Sequence, residues 1–262
     1  MNAIPALFDS HCHLDFPDFD GWRDTALSEA RAAGVREILV PGVTAANWDR
    51  VERLCAGDDK LYPALGLHPC FLSEHRPEHL ERLAERLAMG AARAVGEIGL
   101  DFFIEDADRD AQQYYLDGQL ELAARFDLPV LLHVRKAHDQ VLKALRQAGL
   151  ERGGIVHAFS GSEQQAQQYI ELGFCLGFGG AISYDRATKL RRLAATLPLA
   201  SLALETDAPD MPLADWRDQP NRPQRVRDVF RILCELRPEP PDEIAGQTTA
   251  NAHRILGLPD SQ

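Results

Sequence analysis

The chain has 262 residues, of which 45% are hydrophobic and 26% charged, as is usual for a soluble globular protein. Its formal net charge of −12 argues against a protein that coats a nucleic-acid backbone with bulk positive charge, so a phosphate substrate has to be held locally by metal ions or a few arginines. The five cysteines are scattered, which predicts free thiols in a reducing compartment. The start of the chain shows no recognisable secretory signal, so a cytoplasmic location is expected. Since no apolar run reaches about 18 residues, no membrane association is expected.

Eight short apolar runs are predicted to be strands, and stretches with helical spacing of apolar residues lie between them. In chain order the predicted strands are 6–15, 36–43, 61–69, 92–101, 128–135, 153–161, 173–180 and 201–210. Helical patterns cover 22–34, 79–90, 112–128 and 162–173, and a last helix is predicted at 247–258. This alternation predicts an α/β protein with the fold of a (β/α)8 TIM barrel, in a single domain spanning 1–262. No Gly-x-Gly-x-x-Gly follows the first strand, which weakens the dinucleotide-binding alternative.

The first predicted strand contains FDSHCHLD, in which His11 and His13 flank Cys12. Side chains two residues apart point to the same face of a strand, so both imidazoles are expected to project to one side. Such a pair can bind one metal ion, or it can be two polar residues at a strand end. Asp9 and Asp15 beside the pair favour the metal site, as further ligands or as partners that orient the imidazoles.

Residues able to bind metal recur at the ends of the predicted strands. Catalytic residues of a barrel lie at the carboxyl ends of its strands. The side chains at these positions are His11, His13, His68, Glu97, Asp101, His133, Arg135, His157, Glu205 and Asp207. Strands two and seven offer no strong ligand, and the other histidines lie elsewhere in the chain. This placement predicts one site at the mouth of the barrel.

Six of these residues are candidate metal ligands, more than the four that one tetrahedral zinc takes: His11, His13, Glu97, His133, His157 and Asp207. They suit two divalent cations (zinc, manganese or magnesium) that share a carboxylate and a water molecule. Glu97 comes from the middle of the strand order and is the predicted bridge. Asp207, from the last strand, is predicted to take the proton of the attacking water. Glu97 and Asp207 are therefore the predicted catalytic residues.

Six motifs in this order resemble the TatD-type metal-dependent deoxyribonucleases of the amidohydrolase superfamily: SHCHLD, GLHP, GEIGLD, LPVLLH-x-R, VHAFSG and LETDAPD. The resemblance runs from about Phe8 to the last helix. It implies a slightly distorted (β/α)8 barrel and a two-metal centre on the six residues named above. It also implies hydrolysis of DNA phosphodiester bonds, in some members as 3′ exonucleases. The superfamily's frequent carboxylated lysine on strand four is replaced here by Glu97.

The loop after the eighth strand departs from the pattern of this family. Many members carry a Lys-Arg-Asn-Glu-Pro-like run, whereas this chain keeps Asn221 and Pro223 but has Arg222 where an acid is usual. Since the loop is expected to overhang the mouth, Arg222 is a candidate substrate-binding residue. His68 and Arg135 are two more, although His68 can instead orient its loop and Arg135 can form a plain ion pair. Glu205 is expected to brace a ligand rather than to catalyse.

The main hypothesis is a two-metal phosphodiesterase that acts on DNA ends or single strands, with DNA or a nucleotide as its partner and no membrane or obligate protein partner. In a second hypothesis the same metal centre hydrolyses an ester or amide bond instead of a phosphodiester, as in an aminoacyl-tRNA deacylase. A third is a non-catalytic barrel that binds metal or nucleic acid. Against the third, a purely structural zinc site has four closed ligands and no bridging acid.

Overall fold

The computed structural model describes residues 5–259, so the predicted domain of 1–262 extends beyond the described residues at both ends. The strands are β1 (Leu7–Asp9), β2 (Val35–Pro41), β3 (Leu61–Leu65), β4 (Ala94–Asp101), β5 (Val130–Arg135), β6 (Gly154–Val156), β7 (Phe174–Phe178) and β8 (Leu202–Leu204). The helices are α1 (Arg23–Ala32), α2 (Trp48–Ala56), α3 (Glu78–Ala88), α4 (Arg109–Arg125), α5 (His138–Ala148), α6 (Glu163–Glu171), α7 (Thr188–Thr196), α8 (Val226–Leu236) and α9 (Pro241–Leu256).

The eight strands form one parallel sheet in the order β1 to β8, and each overlaps one predicted strand. The circuit from β8 back to β1 is completed just beyond the ends of these strands. There Ser10 donates its backbone N–H to Leu204 at 2.9 Å, and His13 donates to Ala208 at 2.8 Å. The predicted (β/α)8 barrel is therefore confirmed. The helices that join the strands lie outside it because parallel neighbours require a crossover.

One side chain from each strand packs in the barrel interior. These residues form a separate apolar cluster: Phe8, Leu39, Ala64, Ala94, Leu131, Ile155, Cys175 and Ala203. Ala252, Ile255 and Leu256 of α9 join the same cluster, so this helix covers one end of the barrel. The larger apolar core lies between the strands and the surrounding helices. With one end covered, the opposite end is left for a site.

Two helices follow β8, so residues 5–259 contain one helix more than eight simple strand–helix units require. The last, α9, begins at Pro241, earlier than the predicted 247. Helix α5 ends before Gly149, whose φ of +59° is a conformation that favours glycine. Among the described residues no helix combines the length and apolarity needed to cross a membrane.

Candidate metal centre

A cavity of about 500 Å³ opens at the carboxyl ends of the strands. Eight of the residues singled out in the sequence line it: His13, His68, Glu97, Asp101, His133, Arg135, His157 and Asp207. Fully buried His11 lies behind them, with its Nε2 3.2 Å from Nε2 of His13. The structure therefore brings all six predicted metal ligands together at the predicted end of the barrel.

The strand period explains how three strands direct polar side chains to this end of the barrel. Leu131, Ile155 and Ala203 point into the barrel interior. The residues two positions later are His133, His157 and Glu205, and a two-residue step returns to the same face. An apolar layer inside the barrel is thus followed by a polar layer at its mouth.

His11 and His13 reach the site by another route than the predicted one. Strand β1 ends at Asp9, so the predicted strand of 6–15 is too long, although both imidazoles do project to one side as expected. Their backbone is held by the segment after β8 instead, where Asp207 donates its N–H to the carbonyl of His11 at 2.8 Å. Asp9 anchors that segment, because its carboxylate accepts the Thr206 hydroxyl at 2.6 Å and the Thr206 N–H at 2.9 Å.

Glu97 lies at the centre of the cluster and is nearly fully buried. Its Oε2 is 3.1 Å from Nε2 of His11 and 3.4 Å from Nε2 of His13. Its Oε1 is 3.1 Å from both Nε2 of His68 and Nδ1 of His133. Burial opposes ionisation, but His68 and His11 outweigh it and hold the pKa of Glu97 well below its usual value. Glu97 thus faces both halves of the cluster as a carboxylate.

Two carboxylates outside the cluster orient its imidazoles. Asp101 Oδ2 lies 3.0 Å from Nε2 of His133, which leaves Nδ1 of that ring toward Glu97. Glu205 Oε1 lies 3.1 Å from Nδ1 of His157, which leaves Nε2 toward Asp207 at 3.6 Å. Carboxylate–imidazole pairs of this kind fix the tautomer of metal-binding histidines. The predicted bracing role of Glu205 agrees with this geometry.

Strand seven makes room for Glu205. A Cβ on Gly177 would lie 2.1 Å from Oε2 of Glu205, so only glycine leaves space for this carboxylate. Strand seven therefore contributes a gap rather than a ligand, a role that the sequence analysis did not identify.

Asp207 lies across the cavity from Glu97. Its Oδ1 is 3.5 Å from Nε2 of both His11 and His13. Its backbone adopts φ of +58°, which is unfavourable for a residue other than glycine and typical of strained positions in functional sites. Burial raises the pKa of Asp207 to about 6. A carboxyl group of this pKa is suited to accept a proton near neutral pH.

The donor set fits divalent cations. Oxygen Oε2 of Glu97 is buried and finds no aligned hydrogen-bond donor among the described residues. Burial and the neighbouring His157 hold the pKa of His11 well below its usual value, so its ring is neutral, as a metal ligand has to be. Within each of three trios the ligand atoms lie within 4.8 Å of one another: His11, His13 and Glu97; His11, His157 and Asp207; Glu97, His133 and His157. Glu97, His11 and His157 each belong to two of these trios, which therefore form one continuous cluster.

The three candidate substrate-binding residues have different positions. Arg135 lines the cavity, and its guanidinium stacks 3.7 Å above the ring of Phe103. His68 also lines it, but its Nδ1 accepts the N–H of Cys70 and its Nε2 faces Glu97, so its ring is committed to that carboxylate. Burial lowers the pKa of His68 to about 4, which keeps the ring neutral.

Arg222 does not reach the cavity. Its guanidinium lies 3.5 Å from Glu29 and 5.0 Å from the centre of the Trp22 ring. The loop after β8 is held in this position by Asn221, whose side-chain amide donates to the carbonyls of Thr206 and Met211. The structure thus gives no support to the prediction that Arg222 binds substrate.

Two aromatic residues of the cavity were not singled out in the sequence. Phe16 stacks on His13 with ring centres 4.4 Å apart, and Phe71 meets His68 edge-on at 5.7 Å. Both line the mouth. Each lies three residues after a motif histidine, so aromatic residues next to a metal motif are the signal that could have found them.

The family model described as TatD related DNase matches residues 8–257. A relative in Escherichia coli K12, an uncharacterized metal-dependent hydrolase YjjV, is 50% identical over 258 residues, which are 98% of this chain and 100% of the relative. A 3′-5′ ssDNA/RNA exonuclease TatD of Citrobacter rodentium is 30% identical over 259 residues, covering 96% of this chain and 98% of that protein.

Solved structures agree with the fold. The crystal structure of YjjV from Escherichia coli K12 superposes with a TM-score of 0.95 at 49% identity, covering 98% of this chain and all of the other. A TatD family hydrolase of Entamoeba histolytica superposes with a TM-score of 0.82 at 19% identity, covering 97% and 99%. At that identity the likeness concerns the fold alone.

Proposed function

The chain belongs to the TatD related DNase family of metal-dependent hydrolases, and we propose that it hydrolyses phosphodiester bonds at the ends of DNA or in single strands. The observation that carries this proposal is the convergence of four imidazoles and two carboxylates at the floor of one open cavity. Relatives that cover nearly the whole chain and are named 3′-5′ ssDNA/RNA exonucleases support the choice of bond.

We infer that two divalent cations are held by His11, His13, Glu97, His133, His157 and Asp207, with Glu97 shared between them. Such ions, when bound, act as Lewis acids on a phosphoryl group and lower the pKa of water. Within the chain, Asp101 and Glu205 hold two of the imidazoles in the required tautomer.

Asp207 is the proposed proton acceptor. It faces the cavity, and its raised pKa of about 6 lets it take a proton from the water that attacks phosphorus. Arg135, on the wall of the same cavity, offers a guanidinium to the non-bridging oxygens of the phosphate. The neutral ring of His68 keeps Glu97 in place rather than binding the phosphate.

The shape of the site favours an end or a single strand as substrate. A cavity of about 500 Å³ at the bottom of a barrel mouth has room for about one nucleotide unit. Intact duplex is too wide to present a backbone phosphate at that depth. The net charge of −12 agrees with contacts confined to the mouth rather than spread over the surface.

The test is digestion of single-stranded DNA labelled at either its 3′ or its 5′ end. Cleavage is expected with added Mg²⁺, Mn²⁺ or Zn²⁺ and is expected to stop with a chelator. Asp207→Asn protein, purified in the same way, is the control for contaminating nuclease. Aminoacyl esters and amides are assayed in parallel. Metal-loaded protein that hydrolyses these and leaves DNA untouched would contradict the proposal.

A further inference from the structure

A second cavity, of about 490 Å³, lies beside the mouth where α5 and α6 begin. We call it the α5–α6 hollow and define it by Lys136, His138, Asp139, Ser160, Gln165 and Lys189. Ser160 lines both cavities, so the hollow adjoins the candidate metal centre. Arg135 lines the main cavity and the next residue, Lys136, lines the hollow, with its Nζ 4.5 Å from the centre of the Phe103 ring on which Arg135 stacks. A chain of phosphates leaving the metal centre on this side would enter the hollow next.

The hollow carries positive charge on an acidic protein. Two lysines line it against one carboxylate, that of Asp139. Lys189 donates its Nζ to the Ser160 carbonyl at 2.8 Å, which holds its ammonium at the boundary of the two cavities. The Asp139 carboxylate accepts the side-chain amide of Gln165 at 2.8 Å. The lysines therefore leave a net excess of one positive charge there.

His138 adds an unused polar atom. The side chain is only 8% exposed and lines the hollow, yet its Nε2 has no hydrogen-bond partner among the described residues. Its Nδ1 lies 3.3 Å from the Tyr169 hydroxyl, which is also 3.5 Å from the His138 carbonyl, the longer of its two contacts. When that hydroxyl donates to Nδ1, the single proton of the neutral ring is on Nε2. A buried donor without a partner costs free energy, so it points to a bound acceptor.

Helix α5 supplies backbone donors at the same place. It has 11 residues and begins at His138, and its N-cap residue, Ala137, has no side chain that could accept its first N–H groups. Uncapped N–H groups at a helix N-terminus attract anions. The helix N-terminus, the buried imidazole and the two lysines thus all favour an anion as the ligand.

We propose that the α5–α6 hollow binds a second phosphate of a nucleic-acid strand whose scissile phosphate lies at the metal centre. This inference rests on the proposed function, and it makes the substrate a polynucleotide rather than a mononucleotide or a simple ester. Phosphate oxygens accept from the lysines, the imidazole and the helix N–H groups together. A contact to the backbone carries no base preference, so the hollow selects for chain length rather than sequence.

The test compares two substrates on three proteins. The substrates are a dinucleoside monophosphate, with one phosphodiester, and a single strand of about 12 nucleotides. The proteins are wild type, Lys136→Gln/Lys189→Gln, and the control Lys143→Gln, which changes an exposed lysine on α5 outside the hollow. The double variant is expected to lose about tenfold in kcat/KM on the longer strand, through KM. Its kcat/KM on the dinucleotide and both values of the control are expected to stay unchanged.

The salt dependence provides an independent measurement. Each lost lysine–phosphate contact is expected to reduce the slope of log KM against log salt by about one. An equal loss on both substrates, or an unchanged KM for the longer strand, overturns the proposal.

A direct binding experiment separates this proposal from the proposed function. If wild type cleaves neither substrate, the proposed function fails. The fluorescence anisotropy of the labelled strand, titrated with chelator-treated protein, then shows whether the hollow binds nucleic acid. Weaker binding by the double variant than by wild type supports a strand site, and equal binding overturns it. Inorganic phosphate is titrated alongside. If it binds wild type as tightly as the strand does, the hollow is a site for free phosphate and the proposal is overturned.

Discussion

Replacing Glu205 with glutamine is expected to weaken metal binding while leaving the barrel folded. Glu205 is almost completely buried, and its Oε1 lies 2.6 Å from the backbone N of Ala158 and 3.1 Å from Nδ1 of His157. Glutamine has the same shape and keeps an oxygen for the Ala158 N–H. The same oxygen still faces Nδ1 of His157, so what the substitution removes is the negative charge beside this ring.

The size of the effect follows from the loss of this one charge. The carboxylates of Asp207 and Glu205 outweigh burial and raise the pKa of His157 to about 10, so the charge of Glu205 makes this ring more basic. Removing such a partner from a metal-binding histidine typically costs about 10- to 100-fold in metal affinity. That range corresponds to about 1.4 to 2.7 kcal/mol of binding free energy.

Metal affinity is measured by competition with a fluorescent zinc chelator, starting from metal-free protein. Thermal unfolding with and without Zn²⁺ gives a second readout, because a bound metal stabilises the folded state in proportion to the logarithm of its affinity. Glu151→Gln, at an exposed position of the α5–β6 loop, is the matched control. A further variant, Gly177→Ala, is expected to weaken the metal as well, since its Cβ would collide with the Glu205 carboxylate.

A role of Glu205 in positioning His157 is refuted if Glu205→Gln binds Zn²⁺ as tightly as wild type and is equally stabilised by it. It is also refuted if the variant unfolds without metal at a much lower temperature than Glu151→Gln. The carboxylate would then stabilise the fold and would not position His157.

Three further predictions concern other parts of the chain. Asp207→Asn is expected to lower kcat by about 10²- to 10⁴-fold with an unchanged circular dichroism spectrum, and an unaltered rate would exclude Asp207 as proton acceptor. Burial, with a smaller contribution from Lys189, lowers the pKa of His138 from 6.5 to about 4, so the wild type loses stability as pH falls through that interval. In urea titrations the unfolding free energy of His138→Phe is expected to fall by about 3 kcal/mol less than that of wild type over this pH range. Equal pH dependence of the unfolding free energy in the two proteins would contradict the lowered pKa of His138. Glu37→Gln removes a carboxylate that pairs with His253 at 2.7 Å at the start of β2, so it should cost about 1 to 3 kcal/mol in unfolding free energy but leave kcat unchanged. A lowered kcat would show coupling between the two ends of the barrel.

Much of the candidate site can be derived from spacing alone. His133 and His157 continue the two-residue period of their strands, so their inward direction follows from the apolar residues before them. The alternation of strands and helices predicts that the carboxyl ends of all strands meet at one mouth. These two regularities are enough to bring residues from distant parts of the chain to one cavity.

Other parts of the site depend on contacts between distant segments. His11 and His13 lie beyond β1, and backbone hydrogen bonds to the segment after β8 hold them in place. The ring of His68 turns to Glu97, and Arg222 turns away to Glu29. Sequence spacing does not encode these orientations, because each depends on a partner tens of residues or more away.

The sequence by itself determined the barrel, its family and the six side chains at its mouth, because hydrophobic period and strand ends are local properties of the chain. Only the tertiary structure decided which oxygen faces which imidazole, which arginine reaches the cavity, and that a hollow lined by His138 lies beside the metal centre. The physical reason is that loops without a repeating hydrogen-bond pattern take their shape from whatever they pack against.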